Sequence, residues 1–337
     1  MPPIHQHKKG RPVHKPKTIF MFSGQGSQYY QMGQPLYEHN AVFRHWMDHL
    51  DAFCRRSWGA SILGLIYNSK RTRADGFERT PLSGPAIFMV EYALAKALED
   101  AGVRADLTLG ASLGTFAAAA VSGALSPEGA LTSIMQQSRI FEQHCQNGGM
   151  LAVVADCALS DAPELRSRVE LAAVNFSSHF VVAGLEAELV VVERWLDGRG
   201  VTHQRLPVSY AFHSRWIDAA REPLLRCLDK LPLQALRIPL ICCAQSRTFQ
   251  TLPTRDFFWT VIRDPIGFSS TIARLVREEP YRYLDVGPSG TLAGFLRYLL
   301  PAGCGAEVHR VLSPFGGELK SFGTVVEAAR VESFRHA

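Results

Sequence analysis

The stretch Gly110-Ala111-Ser112-Leu113-Gly114 decides how this chain is read, because it sets one serine at a sharp turn between an apolar strand and an alanine-rich helix. Upstream, Leu107 and Leu109 alternate within residues 105–109 and predict a strand that runs into Gly110. Downstream, Phe116, the alanines at 117–120 and Val121 predict a helix that ends near Gly123. A serine at such a turn has its hydroxyl beside a helix N-terminus, where unbonded N–H groups and the dipole favour an oxyanion. The same five residues also suit a glycine-flanked helix cap, so they do not establish catalysis alone.

Two further segments bear on that choice. Ile19-Phe20-Met21-Phe22 predicts a short buried strand, followed by the flexible turn Ser23-Gly24-Gln25-Gly26-Ser27-Gln28. Far downstream, Tyr210-Ala211-Phe212-His213-Ser214 places a histidine among aromatic and small residues. A serine hydroxyl needs a base at neutral pH, and imidazole is the side chain with the matching pKa.

In this order the three segments resemble the acyltransferase family that includes malonyl-CoA:acyl carrier protein transacylases and the acyltransferase domains of polyketide synthases. The likeness runs from about Thr18 to about Ser313. It implies that Ser112 is the nucleophile, His213 the general base and residues 24–28 the oxyanion loop, with Gln25 and Leu113 supplying the backbone N–H groups. Ala172-Ala173-Val174-Asn175, Val181-Val182-Ala183-Gly184 and Asp285-Val286-Gly287-Pro288 are supporting matches. An α/β-hydrolase also offers Gly-x-Ser-x-Gly, but there an acid precedes a late histidine; the glutamine loop favours the acyltransferase reading. The resemblance further implies that a backbone carbonyl from residues 259–268 holds the histidine, so no acidic third member is required. Val261 and Ile262 occupy the place of the family's usual asparagine in that segment.

The departures bear on substrate. Malonyl-using members carry an arginine twenty-five residues after the nucleophile, and here that position is Gln137. Arg139 lies two residues on and points to nearly the opposite side of a helix, so it does not substitute. Removing one partner of a buried charge pair costs about 2–5 kcal/mol, roughly 30-fold to several-thousand-fold in affinity, which argues against malonyl and methylmalonyl groups. Ala111 and Thr115 stand where the family usually has histidine and glutamate, which removes polarity beside the serine. Gln137, Ala111, Tyr210, Phe212 and Asn175 are the expected pocket and specificity residues.

A neutral residue at 137 resembles the free-standing acyl hydrolases of trans-acyltransferase polyketide systems, a proofreading branch that removes acyl groups from stalled carrier proteins. The expected activity is therefore serine-dependent hydrolysis of non-malonyl acyl groups on an acyl carrier protein. One alternative is transfer of a non-carboxylated acyl group to a carrier protein from another carrier or from CoA, with the same pair. Another is an inactive docking module, suggested by Ala111 and Thr115. No cofactor is expected, since the phosphopantetheine arm belongs to the carrier, and no metal site.

At 337 residues and 47% apolar content, the chain is long enough for a sizeable core. The expected fold class is α/β: a large hydrolase-like domain with a central parallel sheet, over residues 18–140 and 209–313, and an inserted ferredoxin-like α+β domain over 141–208. The insertion reads as strand-helix-strand-strand-helix-strand, its first helix near residues 162–169. Residues 314–337 are expected to form a tail with a short helix near 323–331. The seven cysteines show no metal spacing and suggest a reducing compartment, and no apolar run approaches the ~20 residues of a membrane span. A cytoplasmic monomer without membrane or nucleic-acid partners is the expectation. Residues 1–17 read as a disordered basic tail whose Lys and Arg account for the formal net charge of +5. Carrier recognition must then come from a local patch, for which Arg215, Arg247 and Arg263 are candidates.

Overall fold

The computed structural model describes residues 16–77, 80–251 and 256–335. Its larger sheet comprises β1 (Lys17–Phe22), β2 (Leu107–Gly110), β7 (Leu240–Cys242), β8 (Arg247–Phe249), β9 (Tyr281–Asp285) and β10 (Glu307–Arg310), ordered β10-β9-β1-β2-β7-β8. Every pairing is parallel except β7 with β8. In β1 the residues Ile19 to Phe22 are all buried, as a central strand covered on both faces requires. Phe20 and Phe22 join the core on one face, with Phe116 and the alanines of helix Gly114–Val121. Ile19 and Met21 point the other way, onto Phe268, Ile272 and Leu296. The strand order reverses between β1 and β9, so the loops after β1, β2 and β9 converge at the carboxyl ends of their strands, where open α/β sheets form ligand crevices.

The second sheet contains β3 (Gly148–Val154), β4 (Glu170–Phe176), β5 (His179–Leu185) and β6 (Thr202–Arg205) in the order β4-β5-β3-β6. All its pairs are antiparallel, which is the ferredoxin-like arrangement. Leu151, Val153, Phe180 and Val182 pack against Leu189, Val192 and Leu196 of helix Glu186–Asp197. The alternate residues Met150, Ala152 and Val181 face the crevice. Period-two alternation thus gives this sheet one face for its helix and one for the site. Edge strand β4 also joins the larger unit: Ile266 N–H donates to Ala172 O at 2.8 Å and Val174 N–H to Ile266 O at 3.0 Å.

Three local expectations differ from what is observed. The helix expected near 162–169 is a 3-10 helix at Cys157–Asp161 and one α-turn at Pro163–Arg166, because only Leu165 of that turn is buried and β4 begins at Glu170. Lys17 is the first residue of β1, not the end of a tail: it pairs in register with Tyr281 and its ammonium lies 2.6 Å from Glu279. The rest of the expected tail, up to residue 15, lies outside the described residues. At the other end, helix Glu318–Arg335 is longer than expected and docked, with Val325 and Val326 in the core and buried Glu318 paired to Arg73.

Glycines make the turn at Ser112 possible. A Cβ at Gly114 would lie 2.2 Å from Phe22 O, and one at Gly110 would lie 2.3 Å from Thr115 Cα. Both obstacles are backbone and cannot rotate away. Gly114→Ala is therefore expected to destabilise the protein by about 3 kcal/mol or more, read as a lowered urea midpoint.

Candidate functional site

Ser112 occupies the left-handed region, with φ of 52°, a conformation that costs a non-glycine residue about 1–3 kcal/mol and persists only where its surroundings impose it. They do so here through backbone bonds: Ala111 N–H donates to Phe22 O at 3.0 Å, Gly114 N–H to Ala111 O at 3.0 Å and Thr115 N–H to Ser112 O at 2.9 Å. The turn lifts the Ser112 hydroxyl out of the sheet at the head of helix Gly114–Val121. Its Oγ lies 2.7 Å from His213 Nε2.

His213 also has a positive φ, 60°, and is 2% exposed. Its backbone N–H donates to Ile262 O at 3.1 Å, and its Nδ1 lies 2.8 Å from Asp264 O. A carbonyl can only accept, so Nδ1 carries the proton and Nε2 presents a lone pair to the serine. The carbonyl comes from the segment expected to hold this histidine, and β4 pins that segment through Ile266. Burial pushes the imidazole pKa down to about 4, with Arg263 adding to the fall and the Asp264 carbonyl opposing it. The ring is neutral at neutral pH, as a base must be.

A cavity of about 310 Å³ opens at this pair. Gly24 to Ser27, Ala111 and Ser112 form one side, and Met150, Ala152, Val181, Leu206, Phe212, Ile266, Phe268 and Phe295 supply an apolar wall. The Gln25 and Leu113 N–H groups have no hydrogen-bond partner among the described residues. Gly24 brings the two amides together, since a Cβ there would lie 3.2 Å from Ser112 Cβ and 3.6 Å from Leu113 N. Among the described residues no lysine or arginine lines the cavity; the ionisable groups they contribute to it are His213 and His179, and burial lowers the pKa of both.

Of the residues singled out from sequence, Ser112, His213, Gln25, Ala111, Asn175 and Phe212 line this cavity. Asn175 Nδ2 lies 3.0 Å from His179 Nδ1. Gln137 and Tyr210 do not line it. Gln137 is buried on helix Pro127–His144, on the face it shares with Ile134 and Phe141, and its Nε2 has no partner among the described residues. Phe141, on the same helix, lies edge-on to the cavity residue Phe212 at 5.0 Å. Tyr210 packs nearby, its ring 6.0 Å from both Phe141 and Phe212. Arg139 points elsewhere, its guanidinium 4.4 Å over the Trp58 ring.

The three candidate surface arginines are differently placed. Arg215 lies 2.7 Å from Glu170, and Arg263 lies 2.6 Å from Asp218 and 3.8 Å from Glu170, so both are engaged within the chain. Arg247 is exposed and sits over the Phe249 ring. The wall residues Leu206, Phe268 and Phe295 went unpredicted because they lie on separate elements with no shared sequence spacing. Among the described residues, no cluster of potential metal ligands occurs and no helix is long and apolar enough to cross a membrane.

The low pKa of His213 ties its site to stability. The unfolded chain, with an ordinary histidine pKa near 6.5, binds the proton first. The contribution is complete above about pH 6.5 and is lost as pH falls towards 4. Urea titrations at pH 7.5 and 4.5 are expected to show wild type losing about 2–3 kcal/mol that His213→Asn does not lose.

Residues 19–300 match the acyl transferase domain family. Over 301 residues the chain is 45% identical to the polyketide biosynthesis acyltransferase homolog BaeD of Bacillus velezensis, covering 89% of this chain and 93% of that protein. It is 40% identical over 308 residues to the homolog PksD of Bacillus subtilis, covering 91% and 95%. Among solved structures, the acyl transferase domain of SpnD, in complex with 2-(pent-4-yn-1-yl)malonyl, superposes with a TM-score of 0.84 at 27% identity, covering 94% of this chain and 79% of that one. A loading acyltransferase from the avermectin modular polyketide synthase superposes with a TM-score of 0.83 at 25% identity, covering 93% and 99%. Fold, site geometry and likeness agree, and the chain belongs to the acyl transferase domain family.

Proposed function

We propose that this protein is a serine-dependent acyl hydrolase that releases non-malonyl acyl groups from acyl carrier proteins of a polyketide synthase. The observation that carries the reading is a bonded Ser112–His213 pair opening into a largely apolar cavity to which no lysine or arginine among the described residues contributes. A malonyl carboxylate entering that space would lose its hydration and gain no fixed positive charge. An uncharged acyl chain would gain apolar contact.

Each step uses groups already in place. Ser112 Oγ attacks the thioester carbonyl carbon as His213 Nε2 takes its proton. The tetrahedral oxyanion faces the N–H groups of Gln25 and Leu113. The C–S bond breaks, the proton returns from His213 to the departing thiolate, and an acyl-serine ester remains. Water then attacks the ester with His213 again as base, releasing the free acid and restoring the serine. The phosphopantetheine thiol leaves with the carrier, and the protein itself needs no cofactor.

A second reading replaces water with the thiol of another carrier protein. The likeness to the avermectin loading acyltransferase favours it. Intact-protein mass spectrometry separates the two, using carriers that bear acetyl, malonyl or longer acyl groups beside an empty second carrier. The expected result is loss of the non-malonyl acyl groups to water with the second carrier unloaded, and malonyl release slower by roughly 30-fold or more. Acyl transfer to the second carrier establishes the transferase, and equal handling of malonyl overturns the substrate class. Ser112→Ala is expected to lower release by at least about 10³-fold.

The protonation state of His213 makes a further prediction. The rate of acyl-serine formation should stay level from pH 8 to about 5 and fall only towards pH 4, because the imidazole stays neutral across that window. Pre-steady-state acylation at a series of pH values checks this; a half-fall near 6.5 would contradict it.

A further inference from the structure

Glu91 lies on helix Thr80–Asp100 and is completely buried. Its Oε1 accepts two bonds from one residue, the Ser23 N–H at 2.7 Å and the Ser23 hydroxyl at 3.0 Å. Ser23 Oγ also lies 3.0 Å from Ser27 Oγ, and the Ser27 hydroxyl donates to Gly24 O at 2.8 Å. The glutamine loop is therefore tied to itself and to one carboxyl group at its base. On its other side the loop has no slack, because a Cβ at Gly24 would already lie 3.1 Å from Ala111 O. Gln25 is the next residue. Whatever fixes Ser23 also fixes where the Gln25 N–H points.

The carboxyl group is suited to that task in its neutral form. Burial pushes its pKa well above the ordinary range, the two Ser23 bonds oppose the rise, and the charge of Asp285 at the end of β9 adds to it. Its second oxygen, Oε2, has no hydrogen-bond partner among the described residues, a large cost for an ionised carboxylate. A buried negative charge beneath the loop would also oppose a developing oxyanion.

We infer that Glu91 is a positioning residue for acyl transfer: as a buried acceptor it clamps Ser23 and so holds the Gln25 N–H against the oxyanion formed at Ser112. This rests on the roles of Ser112 and Gln25 proposed above. The test is single-turnover acylation of Ser112 by an acetyl-carrier thioester in wild type, Glu91→Ala, Glu91→Leu, Glu91→Gln and Ser23→Ala, with a melting curve for each. Wild-type loading in the same series is the separate test of the functional reading.

Glu91→Ala and Glu91→Leu are expected to slow acylation at saturating thioester about 10²-fold, with half-saturation changed by no more than about threefold. Glu91→Gln, whose amide oxygen can accept both Ser23 bonds, should recover to within about threefold of wild type. Ser23→Ala keeps the backbone bond, removes the hydroxyl's bond to Glu91 and its contact with Ser27 Oγ, and should slow acylation about fivefold, which remains measurable if the Ala and Leu variants fail to fold. Folded Ala or Leu variants acylating at the wild-type rate, a Gln variant as slow as Ala, or an unaffected Ser23→Ala would each overturn the inference.

Discussion

The carbonyl of Phe22, at the end of β1, is the constraint on which the site depends. It accepts the Ala111 N–H and at the same time forbids any side chain at Gly114. One bond and one exclusion together force the chain into a sharp reversal whose apex is Ser112, in a backbone region that serine does not favour. The loop that continues from Phe22 supplies the amide opposite. Because β1 lies centrally in the sheet, between β9 and β2, its end cannot drift, and Ser112 and the Gln25 amide keep a common reference.

The proposed base is positioned by a different route. His213 comes from the chain as it leaves the smaller sheet, and its ring is oriented by the carbonyl of Asp264, in a segment that β4 bonds through Ile266. The smaller sheet thus serves chemistry as well as roofing the cavity. A carbonyl partner orients the ring without placing a charge beside it. Burial is then free to depress its pKa, where a carboxylate partner would have raised it. The cavity lining among the described residues and the neutral histidine share one electrostatic character, a site with little fixed charge. Such a site suits a reaction whose substrate is neutral and whose only new anion is the tetrahedral oxygen.

The proposed specificity rests on what the wall lacks among the described residues. Gln137 bears on it by supplying no guanidinium, and its own amide is buried on helix Pro127–His144 without lining the cavity. The aliphatic and aromatic residues that do face Ser112 come from β3, β5, the strand-free segment at Leu206 and the helices containing Phe268 and Phe295. The cavity wall is therefore a property of two sheets meeting.

By itself the sequence determined the α/β class, the strand-turn-helix around Ser112, the partnership with His213 and the alternation of the smaller sheet. The class, the turn and the alternation are written in local spacing: glycines at fixed offsets, a buried run of four apolar residues, or period-two patterning; the partnership of Ser112 with His213, 101 residues apart, is implied by the family resemblance. Tertiary structure decided the rest. Gln137 and Tyr210 are buried without lining the cavity, a placement set by packing that spacing does not encode. Arg215 and Arg263 are engaged because Glu170 and Asp218, distant in the chain, fold against them. Lys17 is a strand residue because β9 pairs with it, and Glu91 reads as one more polar position in a helix until Ser23 closes on it. These outcomes depend on contacts between residues far apart in the chain, and only the folded backbone brings such residues together.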